Sequence, residues 1–146
     1  GSSIVVSAGD MQLGRGESIE DTARVLSRYV DAVMIRANKH SSIEEFARHC
    51  SAPVVNGLTD LLHPCQAMAD LVTIAGVMKP QDATLAYVGD GNNVCHSLIE
   101  LTALMGGSMT IVTPRGYEPC AKVLTSKLAL RQRSTAVFRT ETERRL

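Results

Sequence analysis

The chain has 146 residues, 15 basic and 15 acidic side chains for a formal net charge of zero, and 45% hydrophobic and 21% charged content. Such a balance describes a globular protein with one core of ordinary size, and zero net charge supplies no general attraction to nucleic acid or to a membrane surface. Aromatic residues are only 3% and Trp is absent, which argues against a stacking platform for single-stranded nucleic acid and leaves the core to aliphatic side chains and methionine.

The four cysteines, Cys50, Cys65, Cys95 and Cys120, include no C-x-x-C pair, so reduced thiols in a cytoplasmic setting are expected and neither a metal site nor a cofactor is. The first residues lack a basic stretch followed by a long apolar run, and no apolar stretch reaches membrane-spanning length.

In chain order, Ile4-Val5-Val6 leads to a loop with two glycines around an arginine, Gly14-Arg15-Gly16. Ser18-x-x-Asp21 then opens a helix in the manner of a capping box, and the spacing of Ile19, Ala23, Leu26 and Val30 predicts that it runs to about Tyr29 or Val30. The apolar run Ala32 to Ile35 predicts a strand ending at Arg36. A charged group at the end of a buried strand is either a ligand group of a parallel sheet or the strand's exit into solvent. Ser41, Ser42, Glu44 and Glu45 predict a capped helix from Ile43 to Cys50, and Pro53 opens a strand through Val54-Val55-Asn56, with Asn56-Gly57 as its turn.

A helix is expected from Pro64 to about Met78, with Met68, Leu71, Val72, Ala75 and Met78 as its apolar face, and Lys79-Pro80-Gln81-Asp82 as the boundary between two halves. The alternation then restarts. Leu85 to Val88 predicts a strand, Gly89 to Asn93 a tight turn, Val94 to Met105 a helix stopped by Gly106-Gly107, and Met109 to Val112 another strand. After the loop 113–119, a helix from Cys120 to Arg131 and a strand from Thr135 to Arg139 complete the series; the last six residues are mostly charged, and Arg131, Arg133, Arg139, Arg144 and Arg145 make this end of the chain a basic tail. Helices and strands in this order define an α/β fold with parallel sheets and flanking helices.

The chemistry centres on His63-Pro64-Cys65-Gln66. Pro64 suits the first helical turn, where a missing N–H costs nothing, and the remaining N–H groups favour an anion. His63 can donate to a developing oxyanion or exchange a proton, and Gln66 offers a donor and an acceptor one turn on. The plain alternative is a cap-adjacent histidine beside an exposed glutamine.

Gly89-x-Gly91 invites a dinucleotide reading, but Val94 stands where the third glycine belongs and no acidic residue follows the next strand. Asn92 and Asn93 instead offer carboxamides to the carboxylate or amine of a small ligand, with one of them serving as the helix cap. His96 reads as a packed or capping histidine, and His40 and His49 carry no signal.

Four segments together carry a resemblance. They are Leu13 to Arg28, His63-Pro-Cys-Gln66 with Ala69-Asp70, Gly89-Asp-Gly-Asn-Asn-Val-Cys-His-Ser97 and Thr113-Pro-Arg-Gly-Tyr-Glu-Pro119. In order and spacing they resemble the aspartate/ornithine carbamoyltransferase family, and the paired asparagines resemble its ornithine-using branch.

The resemblance implies two Rossmann-like half-domains. Residues 1–62 would be part of a carbamoyl phosphate-binding domain, 63–79 an interdomain linker helix, and 80–146 part of an ornithine-binding domain. It implies transfer of a carbamoyl group from carbamoyl phosphate to the side-chain amine of ornithine, giving citrulline and phosphate. Arg36 and His63 would contact the carbamoyl oxygen, Gln66 the carbamoyl nitrogen and Asn93 the amino-acid end of ornithine. Gln12 would reach a neighbouring subunit's site in a homo-oligomer.

The family's phosphate-binding Ser-x-Arg-Thr-Arg motif, and its later Asp-x-x-x-Ser-Met-Gly and His-Cys-Leu-Pro motifs, have no counterpart in these residues, so the chain reads as the middle portion of a family member. The competing expectation is a non-catalytic carbamoyltransferase-like module for binding or assembly.

Overall fold

The computed structural model describes residues 1–7, 16–128 and 137–140. Five helices and five strands lie within them: α1 (Ile19–Leu26), β1 (Val33–Arg36), α2 (His40–His49), β2 (Val54–Leu58), α3 (Pro64–Ala75), β3 (Thr84–Val88), α4 (Asn93–Met105), β4 (Ser108–Thr113), α5 (Ala121–Leu128) and β5 (Val137–Thr140), with a single 3₁₀ turn at Pro80–Asp82. β1 and β2 form one parallel pair, and β3, β4 and β5 form a second parallel sheet in that order. The α/β architecture with parallel strands and flanking helices is therefore the one the alternating pattern requires. No helix among the described residues is long and apolar enough to cross a membrane.

Boundaries moved where the sequence signal was local and the controlling contact was not. Ser18 caps α1 as expected, accepting from Asp21 N at 3.0 Å. The helix ends at Leu26 rather than near Tyr29, because Arg28 N and Tyr29 N donate to carbonyls only three residues back, in a tight final turn. α2 begins at His40, before both serines, since its first N–H donates 3.0 Å to the Asp60 carboxylate, a cap supplied from twenty residues on. Asn56-Gly57 is strand rather than turn. The register shifts between Ile35 and Arg36, and a side chain on Gly57 would sit 3.2 Å from Ile35 O and 3.3 Å from Met34 Cγ, so glycine there permits close approach within the sheet.

The face predicted for α3 also needs correction. The helix ends at Ala75, and Ala67, Leu71 and Ile74 meet Leu98, Leu101 and Met105 of α4 along an apolar seam, whereas Met68 and Val72 are exposed. α3 is apolar on more than one side, so periodicity did not single out the buried stripe.

The second sheet holds the larger core, Cys95, Ile99, Met109, Ile111 and Val123, and Leu61 from the loop between β2 and α3 packs against it. A residue of the first half thus belongs physically to the second. Thr135 and the tail from residue 141, like Gln12 in the early loop, lie outside the described residues.

Candidate active site

The carboxyl ends of β1 and β2 lie side by side, Arg36 paired in register with Leu58 and Ala37 N donating 3.0 Å to Leu58 O. Ligands of open parallel sheets gather outside such ends. Arg36 is exposed there and forms no ion pair among the described residues.

From this edge the chain turns through residues 59–63 into α3, and the turn is built around Thr59, which is fully buried. Thr59 N donates to Leu62 O at 2.8 Å, and the Thr59 hydroxyl accepts from Leu62 N at 3.0 Å and donates to Leu62 O at 3.2 Å. With the hydroxyl proton so directed, the His40 Nδ1 atom 3.1 Å away is the donor to Thr59 Oγ1. His40, silent in the sequence, is therefore part of the loop's scaffold.

The loop ends at His63, the N-cap of α3, whose Nδ1 accepts from Gln66 N at 3.4 Å, a long contact. An accepting Nδ1 leaves the proton on Nε2, so the exposed edge of the ring is a hydrogen-bond donor. Pro64 occupies the first helical turn as expected. Gln66 is exposed, and its Nε2 donates 3.0 Å to Asp70 Oδ1, leaving Oε1 open toward solvent.

The start of α4 lies against this loop. Asn92 is the cap, accepting from Val94 N at 3.0 Å and Cys95 N at 3.3 Å, which leaves Asn93 as the other carboxamide. Asn93 Nδ2 donates 2.6 Å to Thr59 O, so one half of its amide is engaged in the structure and the carbonyl half remains for a ligand. Ser97 Oγ accepts from His63 N at 2.8 Å. His96, buried, holds two segments at once. Its Nδ1 donates to Leu61 O at 2.9 Å, and its Nε2 accepts from Cys120 N at 2.9 Å. Two helix N-termini, of α3 and α4, thus converge with their positive dipole ends beside Arg36's sheet edge, an arrangement that favours an anion.

The loop 113–119 closes over α4's start. Gly91 N donates 2.8 Å to Tyr117 O, and a methyl on Gly91 would fall on the backbone of Glu118 and Pro119. Glycine at this point serves close backbone packing, not a pyrophosphate. Beneath it, Tyr87 OH donates 2.7 Å to Asp90 O, and burial, then the charges of Cys95 and Asp90, push the phenol's pKa up. Burial, followed by the charge of Asp90, pushes the Cys95 thiol up to about 11, which marks it as inert packing. Glu118 accepts from Gly116 N at 3.0 Å, and that bond, with its own N–H and nearby Arg115, holds its carboxyl below the usual range.

His96 is the packed histidine that the sequence suggested, whereas Thr59 and Ser97 were given no role, because they act through partners as far as 19 and 34 positions away.

A histidine and a glutamine thus stand at the start of α3 and an asparagine at the start of α4, in an α/β fold with two parallel sheets. Residues 1–76 match the carbamoyl-P binding domain of aspartate/ornithine carbamoyltransferase, and residues 81–145 match the Asp/Orn binding domain. The chain belongs to the aspartate/ornithine carbamoyltransferase family. It is 59% identical over 116 residues to an ornithine carbamoyltransferase of Methanothermobacter thermautotrophicus, covering 80% of this chain and 38% of that protein. With an ornithine carbamoyltransferase of Bacillus cereus it shares 50% identity over 137 residues, 93% of this chain and 43% of the relative. Among solved structures, the anabolic ornithine carbamoyltransferase from Campylobacter jejuni superimposes with a TM-score of 0.82 at 38% identity, over 92% of this chain and 46% of that one. The Pyrococcus furiosus ornithine carbamoyltransferase gives 0.76 at 44% identity, over 91% and 43%. The chain therefore spans less than half the length of the relatives it matches.

Proposed function

We propose that these residues form the central part of an ornithine carbamoyltransferase site, which moves a carbamoyl group from carbamoyl phosphate to the side-chain amine of ornithine. The observation that supports this reading is that the loop leading into α3, which carries His63 and Gln66 at its helix start, is bonded to the first turns of α4, through His63 N to Ser97 and Thr59 O to Asn93. In the reaction the neutral amine nitrogen gives its electron pair to the carbamoyl carbon, forming C–N. The C–O bond to phosphate breaks, phosphate leaves with the electron pair of that bond, and the nitrogen loses a proton to the departing phosphate or to water.

Arg36 and the His63 Nε2–H are suited to stabilise the oxyanion that develops on the carbamoyl oxygen. Gln66 Oε1 suits the carbamoyl NH₂, and Asn93 the amino-acid end of ornithine. Residues 1–62 are assigned to the carbamoyl phosphate half, 63–79 to the linker helix and 80–146 to the ornithine half. Gln12 is assigned to a neighbouring copy's site in a homo-oligomer, a state supported by the exposure of Met34, Val72, Val77 and Val88, which are apolar surfaces that association would cover. All four cysteines are free, which fits a reducing, cytoplasmic setting.

The test is citrulline formation by the purified chain supplied with carbamoyl phosphate and ornithine. Turnover abolished by His63→Ala supports the reading. If the His63→Ala chain forms citrulline as fast as the parent, the assignment of His63 is wrong.

A further inference from the structure

We infer that Ser97 is a positioning residue that keeps the Gln66 carboxamide available to a ligand, by taking over the hydrogen bond Gln66 would otherwise make to its own helix cap. The affinity arm of the test below rests on the function proposed above; the structural arm does not.

His63 and Gln66 stand at the N-cap and N3 positions of α3, the spacing of a capping box. In that motif the N-cap side chain accepts from the N3 backbone N–H while the N3 Glu or Gln side chain reaches back to the N-cap backbone N–H. The first half of the exchange is present, with His63 Nδ1 accepting from Gln66 N at 3.4 Å. The second half is absent. Gln66 instead points forward along the helix, donating 3.0 Å to Asp70 Oδ1 at i+4, and the His63 N–H goes 2.8 Å to Ser97 Oγ, thirty-four residues on.

Ser97 is 4% exposed, so water cannot easily replace its hydroxyl as the acceptor. Its place is fixed from both sides of the helix start. Asn92 caps α4, Asn93 binds Thr59 O, and His96 binds Leu61 O while accepting from Cys120 N. Remove the hydroxyl, and the acceptor nearest to hand in the sequence is Gln66 Oε1, by the ordinary capping-box swing. The carboxamide would then satisfy a backbone N–H rather than face the site. A residue of the second half thereby decides whether a binding group of the first half is free.

The experiment is NMR of the ¹⁵N-labelled chain, parent and Ser97→Ala, together with carbamoyl phosphate titration of both. In Ser97→Ala we expect new proximity between the His63 amide proton and the Gln66 side chain, and loss of the Gln66–Asp70 contact. Carbamoyl phosphate affinity should fall about tenfold, and Gln66→Ala/Ser97→Ala should bind no worse than Gln66→Ala alone, since both changes remove one group. If Ser97→Ala does not fold, Ser97→Cys, near in volume and a weak acceptor, carries the same test. A folded variant whose Gln66 side-chain resonances do not move overturns the inference whatever the ligand does. A Gln66 side chain that does swing back, in a chain whose parent shows no carbamoyl phosphate binding, upholds the positioning role and overturns the proposed function instead.

Discussion

The junction between the halves and the outer faces of the same elements are built on opposite principles. At the junction, Thr59, Asn93, His96 and Ser97 are bonded across the chain, and the three buried ones among them each have a partner. On the outer faces, Met34 and Val55 sit opposite each other on an uncovered side of the first sheet, and Val72, Val77 and Val88 are 70%, 83% and 78% exposed. Burying polar groups is costly unless they are satisfied, and these four residues use their bonds to fix geometry; Asn56 in β2 is the exception, with both side-chain amide atoms buried and unpartnered among the described residues. The open faces show where parallel sheet and helix surfaces ordinarily find cover. Specific geometry is thus concentrated where the ligand is proposed to bind.

The sharpest way to break the junction is steric. Gly91→Ala forces a methyl onto the Glu118–Pro119 backbone, and a loss of about 3 kcal/mol or more in urea unfolding is expected, because backbone cannot step aside as a side chain can. Next is His96→Leu, which strands Leu61 O and Cys120 N, at about 1–3 kcal/mol for each orphaned group. A cost near zero would mean that the three-way contact is incidental. Thr59→Val removes the acceptor for Leu62 N and His40 while keeping the shape, and should cost about 1–3 kcal/mol and loosen hydrogen-exchange protection of Leu62.

A smaller effect concerns pH. Because folding raises the Cys95 pKa to about 11, the folded state holds that proton more tightly than the unfolded chain does. Its contribution is complete below the unfolded value of 9.0 and declines as pH rises toward 11, a slope that Cys95→Ala should lack in denaturation scans at pH 8 to 11. Smallest for stability is Val72→Lys with Val77→Lys on the open face, within about 0.5 kcal/mol each. Sedimentation should nevertheless report less self-association, and an unchanged oligomer distribution would remove that face from any interface.

Much of this was legible because local signals and the fold agreed. Strand-length apolar runs and capping residues at Ser18 and within Asn92-Asn93 placed most of the elements, and the Pro64 helix start that the motif His63-Pro64-Cys65-Gln66 suggested is the start of α3. What the sequence hid was supplied at a distance. The cap of α2 comes from Asp60, the acceptor for His63 N–H from Ser97, and the reason for Gly91 from the Glu118–Pro119 backbone, none of which leaves a mark in a window of ten residues. Asn56-Gly57 misled for the opposite reason: a strong turn signal was overridden by pairing with β1, which needs the glycine's missing side chain for close approach. α3 misled because a helix apolar on several sides has no single stripe to read.

The central claim is that the α3 start, placed by the junction, receives carbamoyl phosphate. Calorimetric titration of the folded chain with carbamoyl phosphate, beside His63→Ala, tests it most directly. The account predicts saturable binding that the substitution abolishes while the unfolding transition stays in place; a well-folded parent chain that releases no heat and shows no saturation would contradict it.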